Sequence, residues 1–514
     1  MAYSLDALYA LVPLAVYWII KYMQTVHLQG PPSPGFVFGH TKQITESSNP
    51  AELYDRWAQT YGGVFQVRGP LGTIRLVVCD PRALSHVLAF DSKKYSHPPL
   101  AQLQITSLTG PGNLLVAIGD VHARQRKILN PLFGPAALKT YASAMYDCAY
   151  KVFSAWETEL QGSPTNEIMV DVSEWQLQRI NNVSFDIMGL AAFSTDFKSL
   201  DGAKSAVATA LTAVGHAKPS PTAAKIFLLS QAYPVLFKLP LPRSALVSDL
   251  SNAMDAVVDE LANAAESGKT EAENLGSALG VLLNAKELSP AQIRIHAKSI
   301  LLAGFATTAS SIKWALVELS MHPEKQSRLR DELLSFSTTD PSYDNLMSPA
   351  LPYLEAVVRE ALRLHPILNE YPRVALEDDI LPLLKPIRTA SGAMIDKIPI
   401  QKGTVLTTSL HYTNIAKSIW GADAADFKPE RWLDGKEVPP AAKEYPGYHH
   451  TMIFSDGPRT CLGRIVLSLL IRKFVFSPRD GMETKYAKAL FLGPHPKVTG
   501  EAGGRLPMRV KRVE

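Results

Sequence analysis

Phe454-Ser455-Asp456-Gly457-Pro458-Arg459-Thr460-Cys461-Leu462-Gly463 is a short run with five specified positions at fixed spacing, F-x-x-G-x-R-x-C-x-G. A helical pattern follows it. A cysteine in a tight loop at a helix N-terminus meets converging backbone N–H groups, whose positive potential favours the thiolate over the thiol. Gly457 and Gly463 allow the loop to turn and to approach another group closely. Arg459 stands two residues before the cysteine, where a guanidinium can reach an anion. Phe454 can pack beside the sulfur and exclude water. The other cysteines, Cys79 and Cys148, are remote from Cys461 and from each other. An odd count with no C-x-x-C pair fits a reducing compartment. It excludes a disulfide framework and a Cys-rich zinc site.

A thiolate donates strongly to haem iron and promotes O–O cleavage. The segment resembles the haem-binding loop of cytochrome P450 enzymes and carries every residue type of that pattern. The resemblance implies a mainly α fold with a minor β part, a triangular helical body around the haem. It implies haem b with iron axially ligated by Cys461, held also by Phe454, Gly457, Arg459 and Gly463. The implied reaction is RH + O2 + two electrons + two protons to ROH and water. A separate NADPH-dependent reductase would supply the electrons, because the chain carries no G-x-G-x-x-G unit or flavin domain of its own.

The resemblance extends upstream. Pro352 opens a helix bearing Glu360-Ala361-Leu362-Arg363, and Glu360 precedes Cys461 by 101 residues (461 − 360). It matches the family's E-x-x-R, and Pro429-Glu430-Arg431-Trp432 matches the downstream Pro-Glu-Arg segment. By resemblance, Glu360, Arg363 and Arg431 form a buried structural triad. Ser289-Pro290 reads as an N-cap and first helical residue, and an apolar-rich helical pattern runs to Met321. Inside it, Ala303-Gly304-Phe305-Ala306-Thr307-Thr308 is similar to the family's oxygen-activation segment. In that reading Gly304 permits a local distortion beside bound O2, and Thr307 positions a water for proton delivery. On residue chemistry alone, Gly304 equally suits close helix packing. The Thr307 hydroxyl equally suits a bond to the carbonyl four residues earlier. His122 and Arg126, in His122-Ala123-Arg124-Gln125-Arg126, stand where the family has W-x-x-x-R. Arg373 stands where it often has a propionate-binding arginine.

Two departures stand out. Ala306 occupies the place of the family's usual acid, so protons must pass through water, Thr307 or a substrate hydroxyl. Cys461 reaches Phe474-Val475-Phe476 in 13 residues (474 − 461), and Ile465-Val466-Leu467-Ser468 replaces the usual F-A-x-x-E. Roughly two helical turns are missing at 3.6 residues per turn. The strand at Phe474 is then expected to detach, or the helix to unravel. These departures motivate an alternative reading, an inactive or haem-poor remnant.

At the other end, residues 7–20 are an uninterrupted apolar run followed by Lys21, and Asp6 precedes it with no Lys or Arg. That pattern reads as an uncleaved anchor, residues 1–29, rather than a signal peptide. Gly30-Pro31-Pro32-Ser33-Pro34-Gly35 reads as a stiff linker, with the haem-thiolate domain over residues 36–514. Together with the resemblance this implies a single-pass endoplasmic reticulum membrane protein whose catalytic domain faces the cytosol. The net charge of +4 argues against a nucleic-acid binder. Pocket walls are expected from residues 103–115, from the helix near Ala303 and from residues 367–371. These are mostly apolar and suit a lipophilic small-molecule substrate. The wording of Gly119-Asp120-Val121-His122 and the residues after it is similar to fungal, membrane-anchored members, which often serve secondary metabolism or detoxification.

Overall fold

Ser289 starts the helix around which the body is built. Its side chain accepts from the Gln292 backbone N–H, the Gln292 side chain accepts from the Ser289 N–H, and Pro290 occupies the first helical position. This reciprocal cap satisfies two N–H groups that would otherwise lack partners. The helix then runs unbroken over Pro290–Met321 and stops before Pro323, which opens the next helix. It is long and apolar enough to cross a membrane, yet 67% of its most apolar stretch is buried inside the protein. It is therefore the core helix of the body.

The structure is a computed structural model. It describes residues 27–47, 49–171, 178–203, 205–216, 220–240, 242–266, 277–336, 341–346, 349–434, 437–461, 474–478, 484–487, 495–498 and 507–512. Residues 1–26 of the proposed anchor and Gly463 lie outside these residues, as does the segment between Cys461 and Phe474. Among the described residues the protein is mainly helical with a minor strand part. Strands β1 (Val64–Arg68), β2 (Ile74–Val78), β3 (Tyr95–Ser96), β5 (Glu370–Ala375) and β8 (Val405–Ser409) form a five-stranded sheet. Its order is β1-β2-β8-β5-β3, parallel only between β2 and β8. β4 (Glu167–Asp171), β12 (Pro507–Arg512) and β9 (Phe474–Pro478) form a second sheet, and β6 (Asp379–Arg388) pairs with β7 (Met394–Ile400).

Local chemistry explains the element boundaries. Asn49 caps the Pro50–Tyr61 helix and Asp80 caps Pro81–Ala89, each followed by proline at the first position. The Pro352–Leu364 helix has no cap of its own. The Glu332 carboxylate, from the Pro323–Phe336 helix, accepts from the Tyr353 and Leu354 N–H groups at 2.7 and 2.8 Å.

Two sequence expectations need correction. Residues 27–30, assigned to the end of the anchor and the start of the linker, already lie on the body. The Gln66 N–H donates to the Gln29 carbonyl at 3.0 Å, and the Ala390 N–H to that of His27 at 2.9 Å. Leu28 is buried. These bonds supply partners to backbone groups that a sheet edge would leave open. Second, of the two outcomes expected of the short span after Cys461, detachment of the strand at Phe474 has not occurred, and unravelling of the helix falls outside the described residues. β9 pairs with β12 over five residue pairs. Phe476 is 1% exposed and its ring meets Trp156 edge-on at 5.9 Å. Gln326 bonds both backbone groups of Phe476, each at 2.9 Å. Aromatic burial and this amide clamp hold the strand on the body.

Candidate active site

The Cys461 backbone N–H donates to the Phe454 carbonyl at 2.8 Å, which closes the loop on itself. Within it Gly457 has φ +64°, and a Cβ there would lie 2.4 Å from the Leu88 carbonyl oxygen. Only glycine fits, because the loop presses on the end of the Pro81–Ala89 helix. Phe454 packs edge-on against Tyr448 at 5.4 Å. Of the three thiols, Cys461 alone is exposed. Burial pushes the Cys148 thiol up to about 12 and that of Cys79 well above its ordinary value. Those two are held as inert thiols in the core.

Cations gather beside this loop. Arg459 is folded back from it: Nε donates to Asp91 Oδ1 at 3.2 Å, Nη1 to the carbonyls of Leu114 and Leu115, and Nη2 to that of Ala117. Arg373, on β5, is 1% exposed. Its Nε and Nη2 meet Asp91 Oδ2 at 2.9 and 2.8 Å, and its Nη1 meets the Pro372 carbonyl and His97 Nδ1. Arg126 Nη2 donates to the Thr460 carbonyl at 2.6 Å, tying the Gly119–Leu129 helix to the residue before Cys461. His122, on that helix, is buried. Burial first, then the charges of Arg459 and Arg126, lower its pKa to about 4, so it is neutral. Burial, then Arg373 and Arg459, hold His97 well below the ordinary imidazole value.

A guanidinium has five N–H donors. Arg373 and Arg459 each engage four among the described residues, which leaves each with one further donor. Asp91 offers one negative charge to the two of them. The cluster therefore has donors and positive charge to spare for a dianionic ligand lying against the loop. This is the demand that the two propionates of haem make, and the residues present fit that group.

Glu360, Arg363 and Arg431 come together with little or no exposure. Arg363 Nε and Nη2 meet the two Glu360 oxygens at 2.8 and 2.7 Å, and its Nη1 caps the carbonyls of Asn414 and Ala424. Arg431 Nε lies 3.6 Å from Glu360 and its Nη2 reaches Asp423. Trp432 Nε1 also donates to Glu360, at 2.9 Å. The Glu360 carboxylate is thus paired and hydrogen-bonded, the condition for burying a charge.

On the central helix, Ala303 is exposed and Thr307 is half-buried, although flanking residues are core. Residues four apart share a helix face, so this face borders an accessible space. The Thr307 hydroxyl donates to the Ala303 carbonyl at 2.5 Å. Gly304 points elsewhere: a Cβ there would lie 2.3 Å from Met188 Sδ. Met188 of the Gln178–Phe193 helix thus packs against this glycine, and the central helix is helical throughout Pro290–Met321. Ala306 is buried in an apolar cluster with Leu301 and Phe305. Ser184 Oγ donates to the Phe305 carbonyl at 2.8 Å, and Asn182 donates to Ser199. The Asn182-Val183-Ser184 tripeptide is therefore part of the interior. The Pro99–Thr109 helix begins two residues after His97 and ends at Gly110, where a Cβ would lie 2.9 Å from Ile295 of the central helix. It thereby links the cation cluster to the central helix.

Sequence reading missed Asp91, His97, Ser184 and Met188. Asp91 sits in Phe90-Asp91-Ser92-Lys93-Lys94, which looks like an ordinary solvated turn and carries no motif.

A mainly helical body built on one long core helix, with an exposed thiol in a closed loop beside clustered arginines, is the arrangement that the resemblance in the sequence implies. Comparison with known proteins agrees: a family model for Cytochrome P450 matches residues 29–499. The chain is 39% identical to "Cytochrome P450 monooxygenase claQ" of Ampulloclitocybe clavipes, over 96% of this chain and 94% of that one. It is 39% identical to claO of the same organism, over 100% and 99%. It is 32% identical to "Cytochrome P450 monooxygenase 205" of Postia placenta (strain ATCC 44394 / Madison 698-R), over 94% and 92%. The chain belongs to the cytochrome P450 family and is a cytochrome P450 monooxygenase.

Proposed function

We propose that this monooxygenase holds haem b with Cys461 as the axial ligand. It would insert one oxygen atom from O2 into a lipophilic organic substrate, with electrons from a separate NADPH-dependent reductase. The observation that carries the reading is the exposed Cys461 thiol in a closed loop beside arginines with donors to spare. Arg373, Arg459, Arg126 and His122 would hold the propionates, and Phe454, Gly457 and Gly463 would shape the loop. Haem, when bound, supplies the reduction and cleavage of O2. The protein's own part is to hold the thiolate dry, orient the substrate and deliver protons. Thr307 already donates to the Ala303 carbonyl, so its oxygen remains free to accept from a water on the open face. Ala306 contributes no proton, and delivery runs through water and Thr307.

The open face of the central helix near Ala303, with Ile367 and the 44% exposed Leu368, suits an apolar substrate. Exposed Arg124 and Lys127 on the Gly119–Leu129 helix suit a negatively charged electron donor. Exposed Phe36 and Val37 lie near Gly72, and Tyr233, Val235 and Leu239 lie on the segment after the Pro221–Leu229 helix, which packs near Pro70–Gly72. Such a patch supports attachment to the endoplasmic reticulum membrane through residues 1–29, with the catalytic domain cytosolic. A role in secondary metabolism is proposed on the fungal relatives. The test is a carbon-monoxide difference spectrum of the reduced protein, followed by turnover with reductase and NADPH. A spectrum without the thiolate-type band would overturn the assignment of Cys461. Loss of membrane association on deleting residues 1–26 would support the anchor, and its retention would refute it.

A further inference from the structure

Asp91 is fully buried, two residues past the Pro81–Ala89 helix. Besides the two arginines, its Oδ2 accepts from the Tyr371 hydroxyl at 2.9 Å and its Oδ1 from the Ser92 N–H at 2.9 Å. The Tyr371 hydroxyl in turn accepts from Ser455 Oγ at 2.8 Å. Ser455 lies in the cysteine loop, with φ +58°. One carboxylate therefore gathers β5, through Tyr371 and Arg373, and the cysteine loop, through Arg459 directly and Ser455 by way of Tyr371.

We propose that Asp91 is a positioning residue of the haem site. It fixes the two guanidiniums that face the haem carboxylates and, through Tyr371 and Ser455, the loop that presents Cys461. This rests on the reading of Cys461 as haem ligand.

Two physical arguments carry it. Buried guanidiniums repel one another and lose hydration, and a shared carboxylate offsets both costs only if it is held between them. Asp91 is so held. Second, the network removes rotational freedom. Arg373 is stacked 3.6 Å from the Tyr371 ring centroid with four donors occupied, so its remaining N–H has one direction available. Arg459 is pinned by Asp91 on one side and three carbonyls on the other. A ligand carboxylate then meets donors whose ordering cost has already been met in folding. The hydrogen bonds of Asp91 go to Arg373, Arg459, Tyr371 and Ser92, so it acts through others.

The experiment compares the purified parent holoenzyme with Asp91→Asn and Tyr371→Phe. The readouts are haem midpoint potential, rate of haem transfer to apomyoglobin, and the carbon-monoxide spectrum. Asp91→Asn keeps shape and removes one negative charge near the iron. Its potential is expected to move positive, and its haem transfer to accelerate tenfold or more. Tyr371→Phe removes a hydroxyl and no charge. It is expected to leave the potential in place and to raise the fraction of protein without the thiolate-type band. A parent-like potential and transfer rate in a folded Asp91→Asn protein overturn the inference. If Asp91→Asn yields no holoenzyme, a parent-like spectrum in Tyr371→Phe overturns it instead. A parent that itself lacks the thiolate band refutes the reading of Cys461, an outcome distinct from either.

Discussion

Gly304 of the central helix stands against Met188 of the Gln178–Phe193 helix so closely that a Cβ would fall 2.3 Å from the thioether sulfur. The contact lies one residue from Ala303, about 100° round the helix from it. Helix packing at Gly304 thus fixes the stretch of the central helix that carries Ala303 and Thr307.

Gly304→Ala is expected to destabilise the protein. Overpacking costs about 1–3 kcal/mol, whereas alanine recovers only about 0.5–1 kcal/mol of helix propensity. The clash should win, but modestly, because the flexible end of Met188 can shift. In a Met188→Ala background the same change should become neutral or stabilising. Denaturant midpoints of the four proteins check this, and additive effects would rule out the contact as the cause.

Cys461→Ser should abolish the thiolate-type carbon-monoxide spectrum, since an alcohol is a far weaker donor to iron. Cys79→Ala and Cys148→Ala should keep it, because both thiols are buried in the core and only Cys461 is exposed. Survival of the band in the Cys461 variant would remove the central assignment.

Thr307→Ala should lower product formed per NADPH at least several-fold while haem content stays near that of the parent. General acid–base contributions of this type run from about 10²-fold upward when complete, and water supplies part of the loss. Thr307→Ser keeps the hydroxyl and should couple better than the alanine variant. Equal coupling in all three would reduce Thr307 to a helix-packing residue.

Glu360→Gln removes the charge that Arg363 and Arg431 share. Breaking one side of a buried pair leaves uncompensated charge and costs about 3–5 kcal/mol, a large part of a marginal total stability. Yield of folded protein and denaturant midpoint should both fall sharply, whether or not haem is supplied. A small change would mean that Arg363 is held mainly by the carbonyls of Asn414 and Ala424.

Burial, with the nearby charge of His365, lowers the His411 pKa to about 4. The folded value lies below the unfolded value of about 6.5. The unfolded chain therefore binds more protons between the two, and stability falls as pH drops from about 6.5 to about 4. The contribution is at most a few kcal/mol. His411→Asn should weaken the acid sensitivity of the melting temperature across that window and leave it unchanged above pH 7. An identical slope would place the sensitivity elsewhere.

Much of the fold was legible because its signals are local. Ser289-Pro290 and the Pro352 start each specify a helix from a few adjacent residues, and the structure begins helices there. The cysteine loop and the E-x-x-R pair were also visible, since their chemistry depends on spacing along one loop or one helix face.

The tertiary structure decided what depends on groups distant in the chain. Asp91 and Arg459 are 368 residues apart and Asp91 and Arg373 are 282 apart, so no local pattern records that one carboxylate serves both. Gly304 was open to two readings until Met188 was seen beside it. The strand at Phe474 was expected to come loose, or the helix before it to unravel, because the count of helical turns was the available measure. Its hold comes from Gln326 and Trp156, 150 and 320 residues earlier (476 − 326, 476 − 156). Caps, turns and periodicity are set by backbone geometry over a few residues. Charge pairing and close packing are set by which side chains the folded chain brings within a few ångströms.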